Sequence, residues 1–249
     1  MRRGGVLVLL ALAVGGCGAT HHIGRPRWLL PDLRQDSPWG VDARAHLGRR
    51  RTVYRLVFAS TVRNVGAGPL VVVGTRPSTA RRLMRMDQVV VGSGGRTRDI
   101  VGVGHGYYSV PHAHWHFVPF EQYELRRLDG SLVARDHKVG FCIGTHLTTA
   151  AVLRRLCAHG KPKALYVREN LQPHHGDTYG PEREGQYIDI DGVPAGIYDV
   201  VHRVNIERRI RESDYANDVA SLRVRLRWLG SPREPLVTSI RACPSTARC

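Results

Sequence analysis

Three histidines alternate along a short segment of the chain: His112, His114 and His116. On a β-strand, alternate side chains project from the same face, so the three imidazoles would lie side by side. Neutral imidazoles are ligands for copper and zinc, and copper has the higher intrinsic affinity. The spacing therefore predicts a metal site that favours copper, and a row of surface histidines is the alternative interpretation.

The segment that carries these histidines must bend for one ion to reach all three. On a straight strand that rises ~3.3 Å per residue, the outer Cα atoms would be about 13 Å apart, near the limit for two imidazoles meeting at one ion. Pro111 and Pro119 flank the segment. We therefore expect a curved or bulged strand.

Lysine is rare in this chain, and one lysine differs from the others in its context. Three of the 37 basic residues are lysine, so 34 are arginine. Lys161 and Lys163 flank Pro162 in a polar stretch and are expected on the surface, whereas Lys138 immediately precedes the apolar residues 139–142. Lys138 is therefore the lysine expected to lie inside the fold.

A hairpin signal connects Lys138 with the histidine segment. Asp129-Gly130 predicts a turn, so the segment that carries Lys138 is expected to pair with residues 121–128. A two-residue loop would place Lys138 opposite Glu121, on the other face from the histidines. A three-residue loop with a bulge would shift the register by one and place Lys138 on their face. Both registers stay open at this point.

The cysteines of the C-terminal half predict two disulfides. An even set in an exported protein is typically paired, and four cysteines allow three pairings. Proximity favours Cys142 with Cys157, and Cys243 with Cys249. No Cys-x-x-Cys motif is present, so a redox motif or a zinc ribbon is not supported.

The N-terminus predicts export. Arg2 and Arg3 precede the apolar residues 6–14, and Val-Gly-Gly lies directly before Cys17. The pattern resembles a bacterial lipoprotein signal, in which Cys17 becomes the acylated first residue of a cell-membrane lipoprotein facing outward. A plain secretory signal is the alternative. We expect a signal peptide at residues 1–16, a tether and irregular N-terminal strap at 17–50, and the main domain at 51–249, which ends in a disulfide-tied tail.

The formal net charge of +16 on 249 residues bears on the partners. The chain shows no nucleic-acid recognition motif, and export makes nucleic acid a poor partner. Attraction to the membrane surface or to an anionic envelope polymer is one interpretation of the charge. A coding bias toward arginine is the other.

Short strands and frequent turns predict a mainly β fold. Residues 53–65 and 70–73 are expected to form a hairpin, and residues 197–204 form another strand. Leu222, Val224, Leu226 and Trp228 alternate with arginines, as in a strand with one buried face. Residues 150–158 are the one short helix expected. The pattern favours an antiparallel β-sandwich with long loops and little helix.

Four motifs together resemble the lysyl oxidase family, in matching order from about residue 30 to residue 249. One is the histidine segment with a following strand at residues 120–125. The other three are Asp136-His137-Lys138-Val139-Gly140-Phe141-Cys142, Asp177-Thr178-Tyr179-Gly180 followed by Gln186-Tyr187-Ile188-Asp189-Ile190, and Glu212-Ser213-Asp214-Tyr215-Ala216-Asn217.

The resemblance implies a copper amine oxidase that makes its own cofactor, lysine tyrosylquinone. Carried over by motif, His112, His114 and His116 bind Cu(II), while Lys138 and Tyr179 become the cross-linked quinone. The reaction implied is oxidation of a primary amine, including peptidyl-lysine, by O₂ to an aldehyde, with release of H₂O₂ and ammonia. Asp177 is a candidate base, and a turn residue is its alternative role.

The chain departs from the family pattern just before the histidines. Residues 107–111, Tyr-Tyr-Ser-Val-Pro, replace a lead that carries a tryptophan, a further histidine and a cysteine in the family. Two other functions remain as alternatives. One is a zinc hydrolase that uses the same three histidines, and the other is a non-enzymatic copper-binding lipoprotein of the cell surface.

Overall fold

The computed structural model describes residues 27–48, 50–136, 140–144, 156–183, 185–230 and 234–249. The described chain is mainly β and its strands pair antiparallel. The strands are β1 Trp28–Leu29, β2 Leu33–Gln35, β3 Trp39–Leu47, β4 Thr52–Asn64, β5 Leu70–Thr75, β6 Leu83–Gly92, β7 Thr97–Ser109, β8 His114–Val118, β9 Glu121–Arg126, β10 Leu132–Arg135, β11 Tyr166–Leu171, β12 Gly176–Tyr179, β13 Tyr187–Asp189, β14 Gly196–Val204, β15 Val219–Leu229 and β16 Glu234–Cys243.

The strands form three sheets. One has the order β11-β5-β6-β7-β8, with β1 on β6, and a second has the order β10-β9-β14-β15-β16. In the third, the long strand β4 is the centre, with β2 and β3 along one edge and β12 and β13 along the other. The mainly β prediction is therefore confirmed.

Helix is scarce, as expected. The described helical segments are two 3₁₀ turns, Ser93–Gly95 and Leu156–Ala158. The second lies within residues 150–158, where a short helix is expected, but residues 150–155 lie outside the described residues, so that helix stays a prediction. Within the described ranges, no helix is long and apolar enough to cross a membrane.

The predicted hairpin between residues 53–65 and 70–73 is wrong, because β4 and β5 belong to different sheets. The link between them packs against the N-terminal segment instead of folding into a tight turn. Asn64 is fully buried there, and its side chain bonds Asp32 N, Gly66 N, Gly68 O and Leu171 O. A Cβ atom on Gly68 would lie 1.9 Å from Leu29 O, so this crossing needs a glycine. Contacts with residues distant in sequence therefore determine that the chain passes from one sheet to another between β4 and β5.

The irregular strap expected at residues 17–50 is also wrong, because the strands β1, β2 and β3 lie between Trp28 and Leu47. β3 pairs with residues Thr52 to Ala59 of β4, with Trp39 opposite Ala59 and Leu47 opposite Thr52. Its inward side chains are small, since Val41 and Ala43 alone are partly buried. Such a weak alternation of apolar residues does not stand out in the sequence.

Two sequence expectations in the second sheet are confirmed. In β15, Leu222, Val224 and Leu226 are buried while Arg225 and Arg227 are exposed. β9 and β10 form the hairpin expected around Asp129-Gly130, with a five-residue connection and a bulge at Val133.

The bulge restores the register that a two-residue loop would give, with Arg135 opposite Glu124. Lys138, whose face depends on that register, lies outside the described residues.

A cluster of buried aromatic side chains fills the centre of the molecule next to the histidine strand. Its fully buried members are Phe58, Trp115, Phe117, Phe120, Tyr123 and Phe141. Trp115 and Phe117 alternate with His114 and His116 along β8. The core therefore fixes the orientation of the histidine strand, because a one-residue slip would turn the imidazoles into the aromatic cluster and the rings of Trp115 and Phe117 away from it.

Candidate metal centre

The three alternating histidines meet at one point at the start of β8. His116 Nε2 lies 3.1 Å from His112 Nδ1 and 2.9 Å from His114 Nε2. All three ligand atoms lie within 4.8 Å of one another. Ions held by imidazoles at 2.0–2.1 Å have ligand nitrogens about 3 Å apart when the bond angles are near 90–110°. The donor set, and the distance of His116 Nε2 from each of the other two histidines, therefore suit a metal ion.

The bend that the spacing requires is present at Ala113. This residue has φ 56°, in the left-handed region, and its N–H bonds Val110 O. His112 thus lies in a turn before β8 instead of extending the strand, and its imidazole reaches back to the other two. The expected curvature of the segment is confirmed.

A neighbouring segment supports this turn. Gly160 N donates to Ala113 O at 2.6 Å, and the Trp115 indole donates to Lys161 O at 3.1 Å. The side chains of Lys161 and Lys163 are exposed, as predicted. The loop therefore holds the histidine segment through its backbone.

Tyr107 is a residue near the site that sequence reasoning did not identify. It lies opposite His116 on the neighbouring strand β7, and its hydroxyl is 3.0 Å from His116 Nδ1. The sequence showed Tyr107 only as part of the lead that departs from the family. The hydrogen bond depends on the register between β7 and β8, which the sequence alone does not reveal.

The segment after Lys138 reaches the cluster directly. Phe141 and Phe117 exchange two backbone hydrogen bonds, of 2.8 and 3.1 Å. A Cβ atom on Gly140 would lie 2.8 Å from His116 Cβ, so the backbone of Gly140 contacts this histidine. His137 and Lys138 themselves lie outside the described residues, which resume at Gly140.

Tyr179 lies at the other end of the same segment. Its hydroxyl donates to Cys142 O at 2.9 Å, and its ring packs edge-on against Phe141 with centroids 5.2 Å apart. Loss of solvation raises the pKa of Tyr179 well above its ordinary value, and Asp177, Glu121 and Glu169 raise it further by their charge. The phenol is therefore neutral in the absence of a nearby cation.

Two buried carboxylates hold residues 143 and 144. Glu169 accepts from Ile143 N at 2.8 Å and Asp177 accepts from Gly144 N at 3.2 Å. Both side chains are about 1% exposed. Burial raises the pKa of Glu169 well above its ordinary value, and the charge of Asp177 adds to this. Asp177 lies within β12, so the alternative of a turn residue is wrong.

Both predicted disulfides are present. Cys142 is bonded to Cys157, and Cys243 to Cys249. The first joins the segment that bonds Tyr179 to the loop that supports Ala113. It therefore links the surroundings of Tyr179 covalently to the loop that holds the histidine segment. Cys17, the predicted lipidation residue, lies outside the described residues.

These features define a class: mainly β proteins with a three-histidine centre at the edge of a sheet, next to a tyrosine-bearing strand. The sequence model of the lysyl oxidase family matches residues 49–231, and the chain belongs to this family.

Individual relatives agree with this assignment. The chain is 30% identical to lysyl oxidase homolog 4 from Homo sapiens over 151 residues, which cover 59% of this chain and 19% of the relative. It is 29% identical to lysyl oxidase homolog 2A from Danio rerio over 151 residues, covering 59% and 20%. A third match is lysyl oxidase homolog 2 from Gallus gallus, at 32% over 116 residues, covering 46% and 14%. The matched regions thus span a fifth or less of these relatives.

Proposed function

We propose that this chain is an exported copper amine oxidase. The reaction converts a primary amine, O₂ and water into an aldehyde, ammonia and H₂O₂. The observation that supports it most is the convergence of His112, His114 and His116 in a member of the lysyl oxidase family. Peptidyl-lysine is one primary amine within this substrate class.

The proposed cofactors are Cu(II), held by the three histidines, and lysine tyrosylquinone, made from Lys138 and Tyr179. Together they would supply an electrophilic carbonyl for the amine and a path for electrons to O₂. The residues around them fit these roles. The histidine nitrogens have the spacing of ligands, and the hydroxyl of Tyr179 is held by Cys142 O.

Chain connectivity supports a place for Lys138 near the metal centre. Gly140 contacts His116, and Lys138 precedes it by two residues. Two residues span at most about 7 Å, so the Cα atom of Lys138 lies within that distance of the Gly140 Cα atom. A lysine side chain adds further reach beyond that Cα atom.

Tyr179 is partly buried, and its surroundings favour a neutral phenol. Phe141 covers one side of the ring, and three carboxylates oppose a phenolate. A cation placed beside this hydroxyl would counter those carboxylates and lower the pKa of Tyr179. Asp177, two residues away and buried, remains our candidate for the base that takes the α-proton of the amine.

The test is turnover of copper-loaded protein with a panel of primary amines in air. We expect aldehyde and H₂O₂ in equal amounts, and none of either from protein kept free of copper. Hydrolysis of esters or amides by the zinc-loaded protein, without amine oxidation, would favour the zinc hydrolase. Copper binding without either reaction would favour a copper-binding lipoprotein.

We propose that the protein is a lipoprotein of the cell membrane, with a signal peptide at residues 1–16, a tether beginning at Cys17 and the catalytic domain after it. The apolar residues 6–14 before Val-Gly-Gly-Cys support this. Metabolic labelling with a fatty acid should mark the wild type and not Cys17→Ser. A labelled Cys17→Ser variant would contradict the anchor.

An anionic envelope polymer is the second proposed partner, and the outer face of β15 supports it. Arg225 and Arg227 are exposed there and make no ion pair among the described residues. The carboxylates of the neighbouring strands are buried beneath other arginines: Glu124 bonds Arg126, Arg135 and Arg203, and Asp199 bonds Arg223. Positive charge therefore remains at the surface of this sheet.

Cosedimentation with isolated cell envelopes tests this partner. Replacing both Arg225 and Arg227 by Gln should weaken binding more than the same change at Arg85 and Arg168, which lie on strands β6 and β11 of another sheet. Equal loss in both double variants would point to overall charge and contradict a specific face.

A further inference from the structure

Tyr107 and His116 face each other across the two strands at the metal centre. They are direct partners in the register of β7 and β8. The Tyr107 hydroxyl lies 3.0 Å from His116 Nδ1, and the two rings meet edge-on with centroids 5.3 Å apart. His116 is the most buried of the three histidines, at 4% exposed. Its ring therefore has few ways to reorient without losing this bond.

The two ring nitrogens of His116 have separate neighbours. Nε2 faces His112 Nδ1 and His114 Nε2, whereas Nδ1 faces the Tyr107 hydroxyl. A nitrogen that binds a metal carries no proton, so a neutral His116 that binds through Nε2 keeps its proton on Nδ1. That N–H then donates to Tyr107 Oη. Such outer partners fix the tautomer and the ring orientation of a ligand.

Tyr107 also contacts the segment that follows Lys138. A Cβ atom on Gly140 would lie 2.8 Å from Tyr107 Cε1 and 3.2 Å from its hydroxyl oxygen. The same Cβ atom would lie 2.8 Å from His116 Cβ. The Gly140 backbone is therefore seated against both rings at once, and no larger residue fits without moving one of them.

We propose that Tyr107 is a positioning residue of the metal centre. Its hydroxyl holds His116 in the tautomer that presents Nε2 to the ion, and its ring seats Gly140 against the same histidine. The inference rests on the proposed metal centre and is independent of whether the quinone forms. Tyr107 belongs to residues 107–111, the lead in which the sequence departs from the family pattern.

The test uses Tyr107→Phe, which keeps the ring and removes the hydroxyl. Outer-shell partners of metal-ligating histidines typically contribute 10–100-fold to affinity, so we expect metal affinity to fall by about that factor. Competition against a chromophoric chelator, with Zn(II) and with Cu(II), measures it on the full mature chain. Thermal unfolding of the metal-free protein should be unchanged within a few degrees, which separates the effect from misfolding.

Tyr108→Phe is the matched control. Tyr108 is the next residue of the same strand, its ring packs edge-on against Trp115, and its hydroxyl makes no hydrogen bond among the described residues. We expect wild-type metal affinity from this variant. A loss equal to that of Tyr107→Phe would show a general effect of removing a hydroxyl from β7 and would overturn the proposal.

A spectroscopic readout tests the tautomer itself. In the Zn(II)-loaded wild type, the His116 Nδ1–H should give a resolved, slowly exchanging imidazole proton signal in NMR spectra, because it is buried and bonded. The signal should be lost by fast exchange in Tyr107→Phe and kept in Tyr108→Phe. Unchanged affinity and an unchanged signal in Tyr107→Phe would overturn the proposal while leaving the metal centre intact. A wild type that binds neither metal would overturn the metal centre and this inference with it.

Discussion

The hydroxyl of Tyr179 donates a 2.9 Å hydrogen bond to the backbone carbonyl of Cys142. This bond ties the tyrosine to the short segment whose other end, at Gly140, contacts His116. Residues 140–142 therefore form a bridge of three residues between the histidine cluster and the tyrosine. Lys138 lies just before this bridge in sequence, so a reaction that joins the lysine and the tyrosine would take place along it.

His114, the middle histidine of the three in sequence, should be required for copper binding. His114→Ala removes the Nε2 atom that lies 2.9 Å from His116 Nε2. We expect the copper content to fall from about one ion per chain to near zero, measured by elemental analysis after dialysis. His105→Ala is the control, since His105 is exposed on β7. Unchanged copper in His114→Ala would contradict the assignment of the site.

The disulfide between Cys142 and Cys157 should stabilise both the fold and the metal site. It closes a loop with a sequence separation of 15 residues, for which the chain-entropy model gives about 3 kcal/mol. Replacing both cysteines by Ala should lower the free energy of unfolding by up to that amount in denaturant titrations. Metal affinity should also fall, because the loop after Cys157 bonds Ala113.

The disulfide between Cys243 and Cys249 provides the comparison. Its separation is 6 residues and it lies in the C-terminal tail. The corresponding double Ala variant should lose less stability and keep wild-type metal affinity. A loss of metal affinity in this variant would contradict a specific role for the first disulfide.

Glu169 should make the protein less stable as the pH rises. Burial, with the charge of Asp177, raises the pKa of Glu169 well above its ordinary value near 4.5. Above that ordinary value the unfolded chain has released the proton that the folded chain still holds. The free energy of unfolding should therefore fall from about pH 4.5 upward, until the pH passes the raised pKa.

Glu169→Gln tests this contribution. The amide oxygen can still accept from Ile143 N, and no charge has to be buried. The free energy of unfolding should depend less on pH in this variant than in the wild type. Glu212 and Asp218, with pKa values raised to about 8 and about 7, contribute the same trend in both proteins. Glu182→Gln, at an exposed glutamate, should match the wild type, and a Glu169→Gln curve parallel to that of the wild type would contradict the prediction.

The alternation of residues was enough to predict the parts of the site that lie close together in sequence. The spacing of His112, His114 and His116 alone indicates that they share one face of a strand. The bend at Ala113 could be predicted because the two outer histidines must come closer together than a straight strand allows. Both disulfides followed from proximity along the chain. Local geometry determines each of these features.

The features that sequence reasoning missed depend on contacts between distant segments. The link after β4 leads into another sheet because Asn64 and Gly68 pack against residues 29–32. No local sequence pattern predicts this packing. The bond from Tyr107 to His116 depends on the register of two strands. Asp177 resembled a turn residue by its type, whereas its strand and its burial come from pairing with β4.

The most direct test of the account is peptide mapping by mass spectrometry after copper loading in air. We expect one cross-linked peptide that joins Lys138 to Tyr179, with the mass deficit of quinone formation, together with visible absorption that is sensitive to carbonyl reagents. Lys138→Arg should lose the cross-link, the absorption and amine oxidation while keeping copper, because a guanidinium stays protonated and cannot add to the ring. Lys161→Arg and Lys163→Arg should match the wild type. Unmodified Lys138 and Tyr179 peptides from copper-loaded wild type, or H₂O₂ production from amines by Lys138→Arg, would contradict the account.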